Sequence, residues 1–349
     1  MLFYLNNCIL SNLDNHNLLA LETLAIWKYK GLIKLTGDLE CLESLSVLQG
    51  LGNTAKQVYN ICVEKWSIEC GYIQYLDRYI HLTDSANSHR NSAEILYPLT
   101  EVNNIEQGLV HFISEDFNDI DFYRKIAEYY AQKHFSNTED LIKFSKVQGG
   151  GARTWHVFKD YADNPKHLTL CILDSDRSCP DSPISDKAHQ AQIINMKTSK
   201  KSALIVLPVH EKENLIPLKA LEQAFMGHAK HVQLIREFSN DEYQTIQAYA
   251  DMKKGVKSCQ AMKLTNKLDY ENLSEHLQLP KPSNCNEPKE RKCGCPNIIP
   301  PFPKGLIDQS IANIDYDNIK LEHINFQQTW NDLGRVIYSW LCADEPIRV

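Results

Sequence analysis

Two carboxylates follow directly after an apolar run in the middle of the chain. The run is LTLCIL, residues 168–173, and Asp174 and Asp176 follow it with one serine between them. A short apolar run bounded by polar residues is typical of a strand buried on both faces. Because side chains alternate along a strand, we expect both aspartates to point the same way and to share a divalent cation such as Mg²⁺. The competing interpretation is that Asp-Ser-Asp merely opens a turn.

Acidic residues also follow two other predicted strands. Glu115 comes after the short apolar run 109–113 and is a candidate metal ligand and general acid or base. Asp119 is a candidate ligand too, or else the cap of the next helix. Glu211 and Glu213 stand at alternate positions after a predicted strand, where they either bind metal or interact with a helix dipole. Ligand sites of open α/β sheets lie at the carboxyl ends of the strands, so these acids are expected at one edge.

Glycines and cations near these acids are candidates for contacts with phosphate. A triple glycine begins at Gly149, and such a turn before a helix lets backbone N–H groups approach a phosphate, although a plain turn is the simpler interpretation. Lys253 is predicted to stabilise developing phosphate charge, with a solvated helix end as the alternative. A solvated helix also explains the lysines near position 200. The predicted nucleic-acid contacts are Gly150, Gly151, Arg153, Lys197, Lys200 and Lys201.

Strand and helix alternate through the part of the chain that carries these residues, from 106 to 235. This alternation indicates a parallel α/β sheet with right-handed crossovers, flanked by helices. The predicted strands are 109–113, 141–147, 168–173 and 203–208. The predicted helices between and after them are 120–131, 154–161 and 215–225.

The two ends of the chain have a different pattern. Residues 1–105 carry apolar residues at three- and four-residue intervals and predict a mainly helical region, with 2–5 as a candidate strand. A loop rich in Pro and Lys and a helix over 326–342 are predicted near the other end. The predicted division is 1–105 as a partner or regulatory surface, 106–260 as the catalytic domain and 261–349 as a C-terminal extension.

Taken in order, the motifs resemble a Toprim domain, and most of all the OLD-type Toprim nucleases of bacterial anti-phage and retron-associated systems. The resemblance rests on Glu115 with Asp119, the triple glycine, Asp174 with Asp176, and the HEKENL run at 210–215, and it covers roughly residues 106–260. It implies cleavage of nucleic-acid phosphodiester bonds by in-line displacement at two ions of Mg²⁺ or Mn²⁺.

The same resemblance implies roles for individual residues. Glu115 matches the first-motif glutamate, which would position or deprotonate the nucleophile. Asp174 and Asp176 match the D-x-D metal ligands, and Glu213 or Glu211 a further acidic ligand. Lys253 matches the lysine that supports the transition state.

Two features depart from the family pattern. Asp116 stands where the family usually has glycine, which puts the local turn in doubt. The chain lacks a G-x-x-x-x-G-K-[ST] motif, so ATP-driven control needs another polypeptide. A non-catalytic Toprim-like binding or regulatory subunit of a defence complex is therefore the alternative to a nuclease. A primase- or topoisomerase-like enzyme fits less well, because we see neither zinc-ribbon spacing nor an evident nucleophilic tyrosine.

Composition sets broader limits. The 349 residues are 43% hydrophobic and 23% charged, as in a globular protein of about two domains. A net charge of −7 argues against general attraction to nucleic acid but leaves room for a local basic groove. With no long apolar run and no basic leader, we expect a cytoplasmic protein without a membrane span. The expected partners are nucleic acid and a regulatory protein, with a separate ATPase and a second copy of the chain as further candidates.

The cysteines are the last group with chemical potential. There are eleven, mostly in apolar segments, which suits reduced thiols better than a disulfide framework. Cys285, Cys293 and Cys295 form C-x7-C-x-C, whereas zinc sites prefer pairs two to four residues apart. The alternatives are a zinc site completed by a fourth ligand and a reduced, exposed loop. The candidates for the fourth ligand are Cys259, His323 and Cys342.

Overall fold

The part of the chain that the structure, a computed structural model, describes forms two compact units. The described residues are 1–11, 13–84, 93–135, 141–198, 201–285 and 293–348. The first unit is made of Met1–Cys171, Ile193–Leu204 and Asn331–Val349, and the second of Ile172–Gln192 and Ile205–Trp330. The three-region division made from the sequence concerns function and stays a prediction.

Helices and strands alternate along most of the described chain. The strands are β1 (Leu2–Leu5), β2 (Lys34–Gly37), β3 (Tyr79–Thr83), β4 (Glu94–Pro98), β5 (Val110–Ser114), β6 (Leu141–Ile142), β7 (Ser145–Gln148), β8 (Leu168–Leu173), β9 (Ser202–Val206), β10 (Val256–Lys257), β11 (Asn297–Ile299) and β12 (Cys342–Ala343). The helices are α1 (Asn15–Tyr29), α2 (Leu39–Val47), α3 (Asn53–Glu64), α4 (Trp66–Tyr72), α5 (Asp119–His134), α6 (Thr154–Asp163), α7 (Asp186–Thr198), α8 (Leu218–Ala224), α9 (Ala229–Glu237), α10 (Gln244–Tyr249), α11 (Ser258–Ala261), α12 (Lys267–His276), α13 (Leu306–Ile311), α14 (Tyr316–Ile319) and α15 (Ile324–Leu341).

The N-terminal region contains a four-stranded sheet, with the order β2-β1-β3-β4 and every pair parallel. The strand predicted at 2–5 is confirmed. Helices do make up most of this region, as predicted, but they accompany a parallel sheet whose three other strands were not predicted. One reason is that β2 buries a polar sequence. Lys34 is 1% exposed, and its Nζ lies 3.0 Å from Asp344 Oδ1. A buried lysine with a carboxylate partner from a distant part of the chain gives no apolar signal.

A second four-stranded sheet has the order β7-β5-β8-β9. β5 pairs in parallel with β7 on one side and with β8 on the other, and Ile113 stands opposite Cys171. This confirms the α/β class with parallel strands and flanking helices. Every residue of β8 is buried, as a strand covered on both faces must be. The strand predicted at 141–147 divides in two, because β6 pairs antiparallel with β12 and only β7 joins this sheet.

The second unit has a helical core with one small sheet. β10 and β11 pair antiparallel and form a two-stranded ribbon, in which Val256 stands opposite Ile299.

The helix predicted at 326–342 is confirmed as α15, and its Trp330 and Trp340 are fully buried. Among the described residues, the helices fall short of the length and apolar character that crossing a membrane requires.

Candidate metal centre

Five consecutive polar residues, from His210 to Asn214, are buried just after β9. Their exposure ranges from 2% for Asn214 to 9% for His210, and Glu211 and Glu213 are 5% and 3% exposed. Burying an ionised side chain costs roughly several kcal/mol unless oppositely charged or hydrogen-bonding partners compensate for the lost solvation. A buried run of this kind is therefore unusual in an ordinary protein core, and it makes this segment the candidate functional site.

Hydrogen bonds hold the segment in position from two sides. The Asp176 N–H donates to the His210 carbonyl over 2.9 Å, and the Leu207 N–H donates to the Leu173 carbonyl over the same distance. The residues after β8 are therefore tied to the residues after β9. On the other side, Asn214 Nδ2 donates to the carbonyls of Gln247 (2.6 Å) and Ala250 (2.9 Å). These two bonds fix the backbone that leads into Lys253.

Glu211 and Glu213 converge on one ammonium group. Lys253 Nζ lies 3.0 Å from Glu211 Oε2 and 3.0 Å from Glu213 Oε1, and Lys212 Nζ lies 3.6 Å from the same Glu213 oxygen. The second oxygens, Glu211 Oε1 and Glu213 Oε2, are buried without a hydrogen-bond partner in the described part of the chain. Carboxylate oxygens are hard ligands, so this is a donor set that a divalent cation would satisfy.

The pKa shifts follow from this geometry. Burial raises the pKa of Glu211, the charge of Glu213 raises it further, and Lys253 only partly opposes the two effects. Burial acts to lower the pKa of Lys253, but the charges of Glu213 and Glu211 outweigh it and raise that pKa. The ammonium is therefore held in its charged form between two carboxylates.

Asp174 and Asp176 have different surroundings, although the sequence predicted a shared orientation. β8 ends at Leu173, and Asp176 has a left-handed backbone with φ of 54°, so strand alternation does not reach it. Asp174 is 5% exposed and its Oδ1 accepts a hydrogen bond from the Lys212 N–H over 3.1 Å. Asp176 Oδ2 instead lies 3.0 Å from Lys187 Nζ on α7. Strand alternation therefore does not give the two aspartates a shared orientation. The Asp174 side chain bonds to the buried segment, whereas Asp176 bonds to it through its backbone N–H.

A second group of ligands lies on the same segment. Atoms of His210, Glu211 and Asp251 all fall within 4.8 Å of one another. His210 Nδ1–H donates to the Arg177 carbonyl over 2.6 Å, which leaves Nε2 directed at Asp251 Oδ2, 3.8 Å away. A histidine that binds metal typically anchors its other nitrogen in this way. Glu211 belongs to both groups, as a carboxylate shared between two ions does.

His210 and Asp251 influence each other's ionisation. Burial acts to lower the pKa of His210, but Asp251, Glu211 and the Arg177 carbonyl outweigh it and raise the pKa. Burial acts in the opposite sense on Asp251, whose pKa is nevertheless held far below its usual range by His210 and Lys254. Sequence reasoning missed His210 and Asp251 as possible ligands, because their separation along the chain gives no motif.

Glu115 and the triple glycine meet at the carboxyl end of β5, in the first unit. The N–H groups of Gly150 and Gly151 both donate to the Glu115 carbonyl over 3.2 Å. Gly150 has φ of 77°, and a Cβ there would meet nothing within 4 Å, so the turn leaves open space above it. The charge of the Glu115 side chain adds to burial in raising the pKa of Cys171 on β8. Its predicted role in metal binding and catalysis stays a prediction.

Asp119 has a local structural role. It is 5% exposed, and its Oδ2 accepts a hydrogen bond from the Asp116 N–H over 3.0 Å at the start of α5. The departure from the family pattern at Asp116 is thus accommodated by a turn that Asp119 closes. That Asp119 also binds metal stays a prediction.

The basic residues predicted to contact nucleic acid differ in their surroundings. Arg153 and Lys197 are exposed, as a backbone contact requires. Lys201 Nζ instead donates to the Pro165 carbonyl and lies 5.7 Å from the centre of the Tyr97 ring. Burial lowers the pKa of Lys201. It therefore stabilises the first unit, and the prediction for Lys200 falls outside the described residues.

Two other groups of possible ligands occur among the described residues. Glu106, His111 and His167 lie together in the first unit, where the ring centroids of the two histidines are 4.3 Å apart and the rings are tilted by 53°. The second group contains four cysteines. No family model, no curated protein and no solved structure matches this chain.

Proposed function

We propose that this protein is a metal-dependent nuclease and that the segment from His210 to Asn214, with Asp174, Asp251 and Lys253, is its metal centre. The observation that carries the proposal is the pair of buried glutamates. Glu211 and Glu213 share one lysine, and each keeps an oxygen without a hydrogen-bond partner in the described chain. Those oxygens fit Mg²⁺ or Mn²⁺, which takes carboxylate ligands.

The chemical class of the reaction comes from the combination of acids and cations. Divalent ions bound by Glu211, Glu213 and His210 would supply an activated water and stabilise the leaving oxygen. Lys253 is 44% exposed while it contacts both glutamates, so its ammonium can also face a ligand. A cation so placed stabilises charge that develops on a phosphate during in-line displacement. The motif resemblance gives the substrate class, a nucleic-acid phosphodiester.

Glu115 and the control of the enzyme are parts of the same proposal that rest on sequence alone. Glu115 is proposed to position or deprotonate the nucleophile. A nuclease that acts on cellular nucleic acid must be restrained, and we propose a regulatory protein partner in an anti-phage defence system. An ATPase encoded separately would supply the ATP-driven control that this sequence lacks.

Binding of the metal is tested separately from cleavage. Manganese binding is measured by electron paramagnetic resonance on the full chain and on Glu213→Gln and His210→Ala. We expect both substitutions to weaken binding at least tenfold, since each removes a ligand. The matched control is Glu242→Gln, which removes the charge of an exposed glutamate in the same unit and should bind like the wild type. Equal binding by all four proteins contradicts the assignment of the ligands.

Cleavage is then assayed with supercoiled plasmid, single-stranded DNA and transfer RNA, with Mg²⁺, Mn²⁺ or chelator. Glu213→Gln, Asp174→Asn and Glu115→Gln should each lower the rate about 100-fold or more, the usual cost of removing a catalytic acid or base. Glu242→Gln should cleave normally. Metal binding without cleavage of any substrate would favour the alternative, a non-catalytic subunit. Cleavage that survives all three substitutions would remove the nuclease assignment.

A further inference from the structure

Four cysteines from separate stretches of the second unit come together beside the β10–β11 ribbon. Cys259 lies on α11, and the other three belong to the segment between α12 and β11. The Sγ atoms of Cys259, Cys285, Cys293 and Cys295 all lie within 4.8 Å of one another, and those of Cys259 and Cys293 are 3.5 Å apart. The described part of the chain contains no disulfide.

The ribbon explains how distant cysteines meet. The Ser258 N–H donates to the Pro296 carbonyl over 2.9 Å, and Lys257 stands opposite Asn297. Cys259 is therefore held against the chain that leaves Cys295. Between α12 and β11, the described residues contain no helix or strand, and the Ser283 N–H donates to the Ser258 carbonyl over 3.3 Å, next to Cys259.

The separations suit a tetrahedral metal ion. In a four-thiolate zinc site each Zn–S bond is about 2.3 Å, so the sulfurs are about 3.8 Å apart. The 3.5 Å between Cys259 and Cys293, and the upper limit of 4.8 Å for the whole group, are compatible with that value. Cys259 and Cys293 are 1% and 5% exposed, whereas Cys285 and Cys295 are partly exposed, so the group lies at the edge of the unit. Sulfur ligands in tetrahedral arrangement select Zn²⁺ or iron, and not Mg²⁺.

Charge gives the second argument. Four thiolates carry four negative charges, of which a divalent cation removes two. Lys257 Nζ donates to the Cys293 carbonyl over 2.7 Å and lies 3.5 Å from Cys293 Sγ, so it offsets a further charge.

We propose that Cys259, Cys285, Cys293 and Cys295 bind one structural Zn²⁺ ion that ties the loop between α12 and β11 to the β10–β11 ribbon. All four ligands come from the protein, which closes the site, as in structural and not catalytic zinc sites. The site is separate from the proposed nuclease centre and does not depend on it. The sequence pattern C-x25-C-x7-C-x-C differs from common zinc motifs, because the ribbon and not a short turn brings Cys259 to the others.

The decisive measurement uses the intact wild-type chain. Elemental analysis should find about one zinc per chain after purification without added metal, as expected for a site coupled to folding. X-ray absorption at the zinc edge should show four sulfur neighbours at about 2.3 Å. Nitrogen or oxygen neighbours in place of sulfur, or iron in place of zinc, would overturn the proposal. A metal-free protein whose four thiols react freely in the folded state would overturn it too.

Variants locate the ion. Cys293→Ser and Cys295→Ser should lose most of the bound zinc, while Cys179→Ser, a buried cysteine of the same unit outside the group, should retain it. Glu213→Gln should also retain zinc, which separates this site from the nuclease centre. If the cysteine variants fail to fold, Co²⁺ substitution of the wild type decides. Tetrahedral sulfur-to-cobalt absorption supports the proposal, and an octahedral spectrum refutes it.

Discussion

Replacing Lys253 by methionine tests the electrostatics of the proposed centre most directly. The ammonium is 3.0 Å from an oxygen of each glutamate. At an effective dielectric constant of about 20, each pair has a Coulomb energy of about 5–6 kcal/mol. The side chain is 44% exposed, and Lys212 remains 3.6 Å from Glu213. After solvent screening and this residual pair, we expect a net loss of about 1–3 kcal/mol in the free energy of unfolding at pH 8.

The pH dependence of that loss has a defined sign. Burial and the charge of Glu213 raise the pKa of Glu211. A carboxyl whose folded pKa is raised favours folding at low pH, and this contribution disappears as the pH rises through the folded pKa. Without Lys253 the pKa of Glu211 rises further. The deficit of the variant should therefore be small near pH 4.5 and reach its full value above neutral pH.

Divalent cation should then restore what the substitution removes. A ligand that binds only the folded state at a free concentration one hundred times its Kd adds about 2.7 kcal/mol. We expect Mn²⁺ to stabilise Lys253→Met more than the wild type, because the lysine no longer competes for the carboxylates. Urea unfolding at several pH values, with and without Mn²⁺, measures each effect.

The control is Lys230→Met, an exposed lysine of the same unit outside the proposed centre. Its loss should cost no more than about 1 kcal/mol. If Lys253→Met is as stable as the wild type at pH 8, or if its deficit is the same at every pH, the buried charges are not as described. A deficit that Mn²⁺ leaves unchanged refutes the cation site in particular.

Three further substitutions test other parts of the fold. Gly149→Ala should destabilise the protein by about 1–3 kcal/mol, since a Cβ there would lie 2.6 Å from the Ser114 carbonyl oxygen. Chemical denaturation measures the change, and an unchanged midpoint would contradict the close approach. Gly334→Ala should cost a similar amount, about 1–3 kcal/mol, because its Cβ would lie 2.6 Å from that of Tyr130; thermal unfolding should show a lower Tm. Burial raises the pKa of Glu322 to about 7, so this carboxyl favours folding below its ordinary pKa and loses that contribution as the pH rises through 7. The change in Tm that Glu322→Gln causes, relative to the wild type, should therefore be more positive at pH 8.5 than at pH 5. An equal change at both pH values would show that Glu322 titrates normally.

The strand–helix alternation of 106–235 could be predicted because it depends on local periodicity. β5, α5, α6, β8 and β9 occur within a few residues of their predicted positions. Each buries a continuous apolar run or stripe, and burial of that surface decides the type of the element. Of the N-terminal strands, β1 was predicted, but β2, β3 and β4 could not be predicted in the same way. β2 buries Lys34, and a polar residue hides a strand when its partner, Asp344, comes from the other end of the chain.

The same distinction between local sequence pattern and tertiary packing applies to the candidate site. The sequence by itself determined that Glu211 and Glu213 follow a buried strand, because order and spacing along the chain are local properties. Tertiary structure decided which groups face them: Lys253 forms an ion pair with each, and Asp251 lies beside His210. It also separated Asp176 from Asp174 by a left-handed turn, and it brought Cys259 to three cysteines far along the chain. Ligand sets depend on distances across the fold, and only packing between elements sets those distances.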